Sequence, residues 1–292
     1  MLQFHGVPDG EHPWVNTPRA RFEEYMAWLH RERYTGIALR DVARYVAESA
    51  APRDPLAIME QRRKAAAAHP VFSSDKALIN VHDAAAVRAR RPLLVAHRGG
   101  VVTPKIPECS LAAIREAARF GYDMIELDVR ETKDGAPMFF HDATLQGATG
   151  QPGKIGDLTE AEARVIRYRQ NDQPIATLGE GLALCRALHL GIMLDLKDPP
   201  RAELLRKIAA LVRQHGLEKS TVTIAGHALV RAELREVSLV PVNAEELRAL
   251  AAGETPSLEG HYWFGIPPSI NFELIPKLQR AGALVIPAIN TF

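Results

Sequence analysis

The chain has 292 residues with 36 Lys+Arg against 35 Asp+Glu, a formal net charge of +1, and this balance excludes the basic excess that a nucleic-acid partner requires. Hydrophobic residues at 47% and charged residues at 24% are ordinary for a folded soluble domain and exclude disordered and fibrous classes. No run approaches the roughly 18 consecutive apolar residues of a membrane span, and Cys109 and Cys185 stand too far apart for a zinc motif and read as free thiols. The start, MLQFHGVPDGEHPW, lacks a basic segment followed by an apolar run. It therefore reads as no secretory signal, and a cytoplasmic location is the default expectation.

In chain order, Phe22, Tyr25, Met26 and Leu29 recur at helical spacing, residues 36–39 read as a short strand, and Asp41 is placed to cap a helix bearing Val42, Tyr45 and Val46. Residues 1–50 thus form a small α/β remnant. Residues 51–92, with Pro52, Pro55 and an Arg-rich end, read as a linker and helical segment with a solvated charged face. From residue 93 onward the pattern becomes regular. Apolar runs at 93–96, 124–129, 138–140, 191–196, 221–225, 239–242, 262–266 and 283–289 alternate with helical stretches at 110–120, 158–167, 178–188, 201–215, 228–236, 244–252 and 271–281. Strands returned by helices pair in parallel, so residues 93–292 are expected to form an α/β barrel of the TIM (β/α)8 type. No helix follows the eighth apolar run, and the barrel is expected to lack its last helix.

In such a barrel the working residues sit where the strands end. His97 and Arg98 follow the first run, Glu126 and Asp128 lie in the second, His141 and Asp142 follow the third, and Asp195 and Lys197 close the fourth. Glu126 and Asp128 are two apart, which puts both carboxylates on one strand face. With Asp195 they make an all-oxygen set suited to Mg²⁺ or Ca²⁺; the competing possibility is a salt-bridge set with Arg98, Arg130 and Lys197. His97 and His141 have the pKa range for proton transfer, one as base and one as acid. Arg98 and Lys197 supply fixed positive charge for an anionic group, the combination that suits phosphoryl chemistry.

VAHRGG at 95–100, PECS at 107–110, IELDVRETKDG at 125–135, MFFHDATL at 138–145 and MLDLK at 193–197, with DLTEAEA at 157–163 and PIATLGEGL at 174–182 between them, resemble the glycerophosphodiester phosphodiesterase family. The resemblance implies a TIM barrel that hydrolyses small-molecule glycerophosphodiesters to an alcohol and glycerol 3-phosphate with a divalent cation. By position it implies His97 and His141 as the acid/base pair, Arg98 and Lys197 on the phosphate, Glu126 and Asp128 as metal ligands with Asp195 the third, and Glu108 in a supporting place. Two positions depart from the family pattern. Cys109 and Ser110 stand where Asn-Thr is usual, and Asp195 stands where Glu is usual. A non-catalytic anion-binding or interaction domain on the same barrel is the alternative expectation. LQFHGVPD at 2–9 and the helical stretch after it are similar to the closing segment of polysaccharide deacetylase domains, with His5 at the position of an assisting histidine. The metal ligands of that family have no counterpart here, so deacetylation is not expected, and the chain reads as a slice of a longer polypeptide.

Overall fold

The computed structural model describes residues 18–32, 76–89, 93–100, 105–265 and 271–287. Two compact units divide the chain, one of Met1–Gln61, Ile266–Ile270 and Ala288–Phe292, the other of Arg62–Gly265 and Asn271–Pro287. In the first unit the described residues form helix α1 (Arg19–Arg31). Its stripe of Phe22, Tyr25, Met26 and Leu29 is half-buried, while Arg19 and Arg21 pair with Glu23 and Glu24 along the exposed side. His5 and the strand and helix expected at 36–48 lie outside the described residues.

The second unit carries the site. Helix α2 (Ala84–Ala89) precedes strand β1 (Val95–Ala96), then come α3 (Leu111–Arg119) and the long strand β2 (Met124–Glu131). Strand β3 (Pro137–Phe139), the short helices α4 (Gln146–Thr149) and α5 (Glu160–Val165), and α6 (Leu178–Ala187) lead to β4 (Gly191–Leu196). The remaining elements alternate as α7 (Ala202–Gln214), β5 (Thr221–Ile224), α8 (Ala228–Leu234), β6 (Val240–Pro241), α9 (Ala244–Ala251), β7 (His261–Gly265), α10 (Leu274–Arg280) and β8 (Leu284–Pro287). One parallel run is ordered β1-β2-β4-β5 and a second β6-β7-β8, with a parallel bridge from Val222 to Leu239 between them.

One expectation is corrected. The run at 138–140 is not the third barrel strand, because β3 pairs antiparallel with β2 (Val129 to Phe139, Glu131 to Pro137). Between them the chain turns at once, the Thr132 amide donating to the Ala136 carbonyl and Gly135 taking a φ of 81°. A parallel return needs a crossover of about a dozen residues or more, which this turn does not have. Seven parallel strands are therefore found among the described residues, and among these no ladder joins β8 to β1. The expectation about a helix after the last strand falls beyond Pro287, outside the described residues.

Strand alternation separates two cores. Ile125, Leu127 and Val129 of β2 and Ile192 and Leu194 of β4 face the helices, where they pack with Ile114, Leu182, Leu205, Ile208 and Val212. The opposite face carries Met124, Met193, Val222 and Tyr262, closed off by Ile79 and Val81 from the stretch expected as linker. That stretch is tied down by the Val81 amide on the Lys219 carbonyl (2.8 Å) and the Ser220 hydroxyl on the Ile79 carbonyl (2.6 Å). On β2 the inner face thus reads Met124, Glu126, Asp128, apolar at its start and acidic at its end. Capping boxes Thr159/Glu162, Thr177/Glu180 and Asn243/Glu246 start three of the helices. Close packing fixes Gly181, since a Cβ there would collide with the Phe139 ring. No helix of the described residues is long and apolar enough to cross a membrane.

Candidate active site

The β2–β4 ladder sets the register, with Glu126 opposite Met193 and Asp128 directly opposite Asp195. Oxygens of Glu126, Asp128 and Asp195 come within 4.8 Å of one another. Asp128 is 1% exposed and Glu126 6%, so both charges need compensation in place. Lys197, just past the end of β4, supplies part of it. Its Nζ donates to Asp195 Oδ2 at 2.6 Å and lies 2.8 Å from Asp128 Oδ1. Burial, with Asp128 beside it, still pushes the Glu126 carboxyl up to about 8. Three hard oxygen donors with one lysine against them fit a divalent cation.

The turn after β1 wraps around this cluster. Arg98 has a left-handed backbone (φ 52°), and its amide donates to Glu126 Oε2 at 2.9 Å. Gly99 follows at φ 90°, where a Cβ would stand 2.6 Å from the Cβ of Ala113, so glycine alone lets the turn lie against α3. The Arg98 guanidinium donates to Glu108 Oε2 at 3.0 Å, and its Nε is 3.9 Å from Asp128 Oδ2. His97 Nε2 lies 3.8 Å from Glu126 Oε2 on a side chain that is 60% exposed. Burial and Arg98 lower its pKa, while Asp128 and Glu108 pull the other way.

His141 follows β3 because the hairpin folds back beside β2. Its Nδ1 lies 2.9 Å from Asp142 Oδ1 and 3.6 Å from Glu108 Oε1, and the three side chains form a second convergent group. Arg130 fixes the backbone here, donating to the His141 carbonyl at 2.8 Å and to Asp198 Oδ1 at 2.8 Å. All eight residues expected from the sequence therefore gather at the strand ends. Of the competing salt-bridge set, Lys197 and Arg98 do approach the acids, whereas Arg130 turns away to Asp198.

Asp142, expected at the strand end beside His141 but given no role there, orients that histidine. Sequence reasoning missed two neighbours of the cluster. The Cys109 thiol, read as merely free, donates to Asp128 Oδ2 at 3.2 Å; burial and Asp128 push its pKa well above the usual range. Tyr168 is 2% exposed and stacks on Phe140, with ring centroids 6.2 Å apart. Burial, with Cys109, Glu108 and Asp142 nearby, raises its phenol, and nothing in the local pattern between β3 and α6 marked it.

Parallel strands with crossover helices, acids on the inner face and basic groups at the same strand ends define an α/β barrel of the TIM class with an acidic cluster that could hold a metal ion. The Glycerophosphoryl diester phosphodiesterase family matches over residues 97–249, and the chain belongs to that family. Human glycerophosphodiester phosphodiesterase 1 is 39% identical over 111 residues, covering 35% of this chain and 33% of the human protein. The chain thus matches about a third of the length of that relative. Among solved structures, glycerophosphodiester phosphodiesterase from Agrobacterium tumefaciens aligns with a TM-score of 0.55 at 24% identity, covering 68% of this chain and 87% of that one. A phosphodiesterase of Oleispira antarctica, in complex with the product sn-glycerol-3-phosphate, aligns with a TM-score of 0.56 at 20% identity, covering 69% and 85%. These two likenesses bear on the fold.

Proposed function

We propose that the chain hydrolyses glycerophosphodiesters to an alcohol and glycerol 3-phosphate with the help of Mg²⁺ or Ca²⁺. The observation that carries this reading is the convergence of Glu126, Asp128 and Asp195 within 4.8 Å, with His97 at 3.8 Å from Glu126. The relatives' activities, and the product bound to the Oleispira protein, support it. Glu126, Asp128 and Asp195 would hold the cation, which when bound supplies Lewis-acid polarisation of a phosphoryl oxygen.

The chain's own groups do the remainder. Arg98 and Lys197 bind the phosphate side and spread its developing negative charge. His141, oriented by Asp142 at 2.9 Å and Glu108 at 3.6 Å from its Nδ1, donates the proton to the leaving alkoxide. His97, on the more exposed side, takes the proton of the attacking hydroxyl, from water or from the substrate glycerol. Glu108 keeps Arg98 and His141 at fixed places by contacting both.

The test is a panel of glycerophosphodiesters with different head groups, assayed for alcohol release after chelation and again with each cation restored. Release that depends on the cation supports the proposal. Binding of glycerol 3-phosphate with no release under any cation supports instead the non-catalytic anion-binding domain.

A further inference from the structure

The turn before α3 makes one contact to the cluster that the proposed chemistry does not use. Cys109 is 1% exposed, and its Sγ lies 3.2 Å from Asp128 Oδ2. A carboxylate oxygen only accepts, so the thiol is the donor. Its backbone stands at φ 54°, and that of Arg98 at φ 52°, both in the left-handed region that side chains other than glycine avoid. The two are joined, the Cys109 amide donating to the Arg98 carbonyl at 3.1 Å.

Strain of this kind persists where the surroundings over-determine it. Here each strained residue aims one donor at one acid of β2, the Arg98 amide at Glu126 Oε2 (2.9 Å) and the Cys109 thiol at Asp128 Oδ2. Lys197 Nζ meets the other Asp128 oxygen at 2.8 Å, so donors from two separate elements pin both oxygens of one carboxylate. Arg98 Nε, 3.9 Å from Oδ2, stands too far off to do this in the thiol's place.

We propose that Cys109 is a positioning residue of the cation site, its S–H···O bond fixing the rotation of the Asp128 carboxylate; this rests on reading Glu126, Asp128 and Asp195 as the cation's ligands. A thiol is a weak donor. It orients the oxygen while withdrawing less of its charge than a hydroxyl or amide, which leaves the carboxylate a strong ligand.

The experiment titrates Mg²⁺ and Ca²⁺ alone into the chelated 292-residue chain by calorimetry, in wild type, Cys109→Ala and Cys109→Ser, with melting of the cation-free proteins measured alongside. Cys109→Ala is expected to bind about 10-fold more weakly, the loss typical of an outer partner of a ligand, and Cys109→Ser to recover most of that loss. Wild-type affinity in Cys109→Ala overturns the proposal, as does an equal loss in both variants that tracks their melting temperatures. Absence of binding by wild type overturns the cation-site reading itself, and with it the proposal. A second measurement serves where Cys109→Ala does not fold. The S–H infrared band of Cys109, read in Cys185→Ala protein, is expected to rise in frequency as Ca²⁺ draws charge from Asp128, and a band unmoved at saturating Ca²⁺ overturns the role.

Discussion

Asp128 and Asp195 are register partners on the adjacent parallel strands β2 and β4, and one ammonium group, Lys197 Nζ, meets both at 2.8 and 2.6 Å. Parallel pairing alone brings the two acids together, since they are 67 positions apart in sequence (195 − 128). If they share a cation, Asp195 is the adjustable member, because it is half-buried while Asp128 is locked in the core. Asp195→Glu should keep cation affinity within a few-fold, and Asp195→Asn should lower it about 10-fold or more by removing a ligand charge. Calorimetric titration decides, and equal affinity in wild type and Asp195→Asn removes Asp195 from the ligand set.

The two histidines should separate by role. Each replaced by Ala is expected to lower turnover about 10²–10⁴-fold, the range for general acid/base groups. His97 is largely exposed, so its variant should melt as wild type does; His141 is 25% exposed and held by Asp142, so a small drop is expected there. A substrate with a good leaving group, which needs little protonation, should rescue His141→Ala and leave His97→Ala slow. Equal rescue of both contradicts the assignment of His141 as the acid.

Most of this site was legible because its residues lie at strand ends in an otherwise apolar pattern. Glu126 and Asp128 alternate with Ile125, Leu127 and Val129, and a strict period of two puts acids and apolar groups on opposite faces before any fold is known. The 138–140 run was misplaced because a short apolar stretch has no periodicity to distinguish a hairpin arm from a barrel strand; the informative feature was the short connection before it, five residues between β2 and β3, too few for a crossover. Cys109 and Tyr168 were illegible in a different sense. Their roles come from neighbours 19 residues away or more, Asp128 for the thiol, and local pattern carries no such information.

Ile79 and Val81 make a prediction about the stretch that reads as linker. Both are buried (1% and 4% exposed) against Met124, Met193, Val222 and Tyr262. Ile79→Ala should destabilise the barrel by about 2–4 kcal/mol through lost burial and the cavity left behind. The acids sit at the opposite end of β2, so activity per folded molecule should hold. Denaturant unfolding and a specific-activity assay check the two halves, and a variant as stable as wild type would mean that the stretch is only loosely attached.

The last prediction concerns acid stability away from the site. Arg231 grips Glu246 with two hydrogen bonds, Nη1 to Oε1 at 2.7 Å and Nη2 to Oε2 at 2.9 Å, tying α8 to α9, while the Asn243 amide adds a third at the helix start. These contacts, the Arg231 hydrogen bond foremost, hold the Glu246 carboxyl below its ordinary range against the opposing effect of burial. A folded-state pKa below the unfolded value means that the unfolded chain binds the proton more readily. The stabilisation is therefore fully present above the unfolded value of about 4.3 and lost as pH falls through the lower folded value. Glu246→Gln removes the charge at every pH. It should cost about 1 kcal/mol at pH 7, in the range of partly exposed ion pairs and helix caps, and that difference should shrink as the pH drops below about 4. Urea unfolding of both proteins at neutral and acid pH provides the comparison. A difference that stays constant, or grows, on acidification would show that Glu246 acts here through packing and neutral hydrogen bonding, with its charge irrelevant to the joint between α8 and α9.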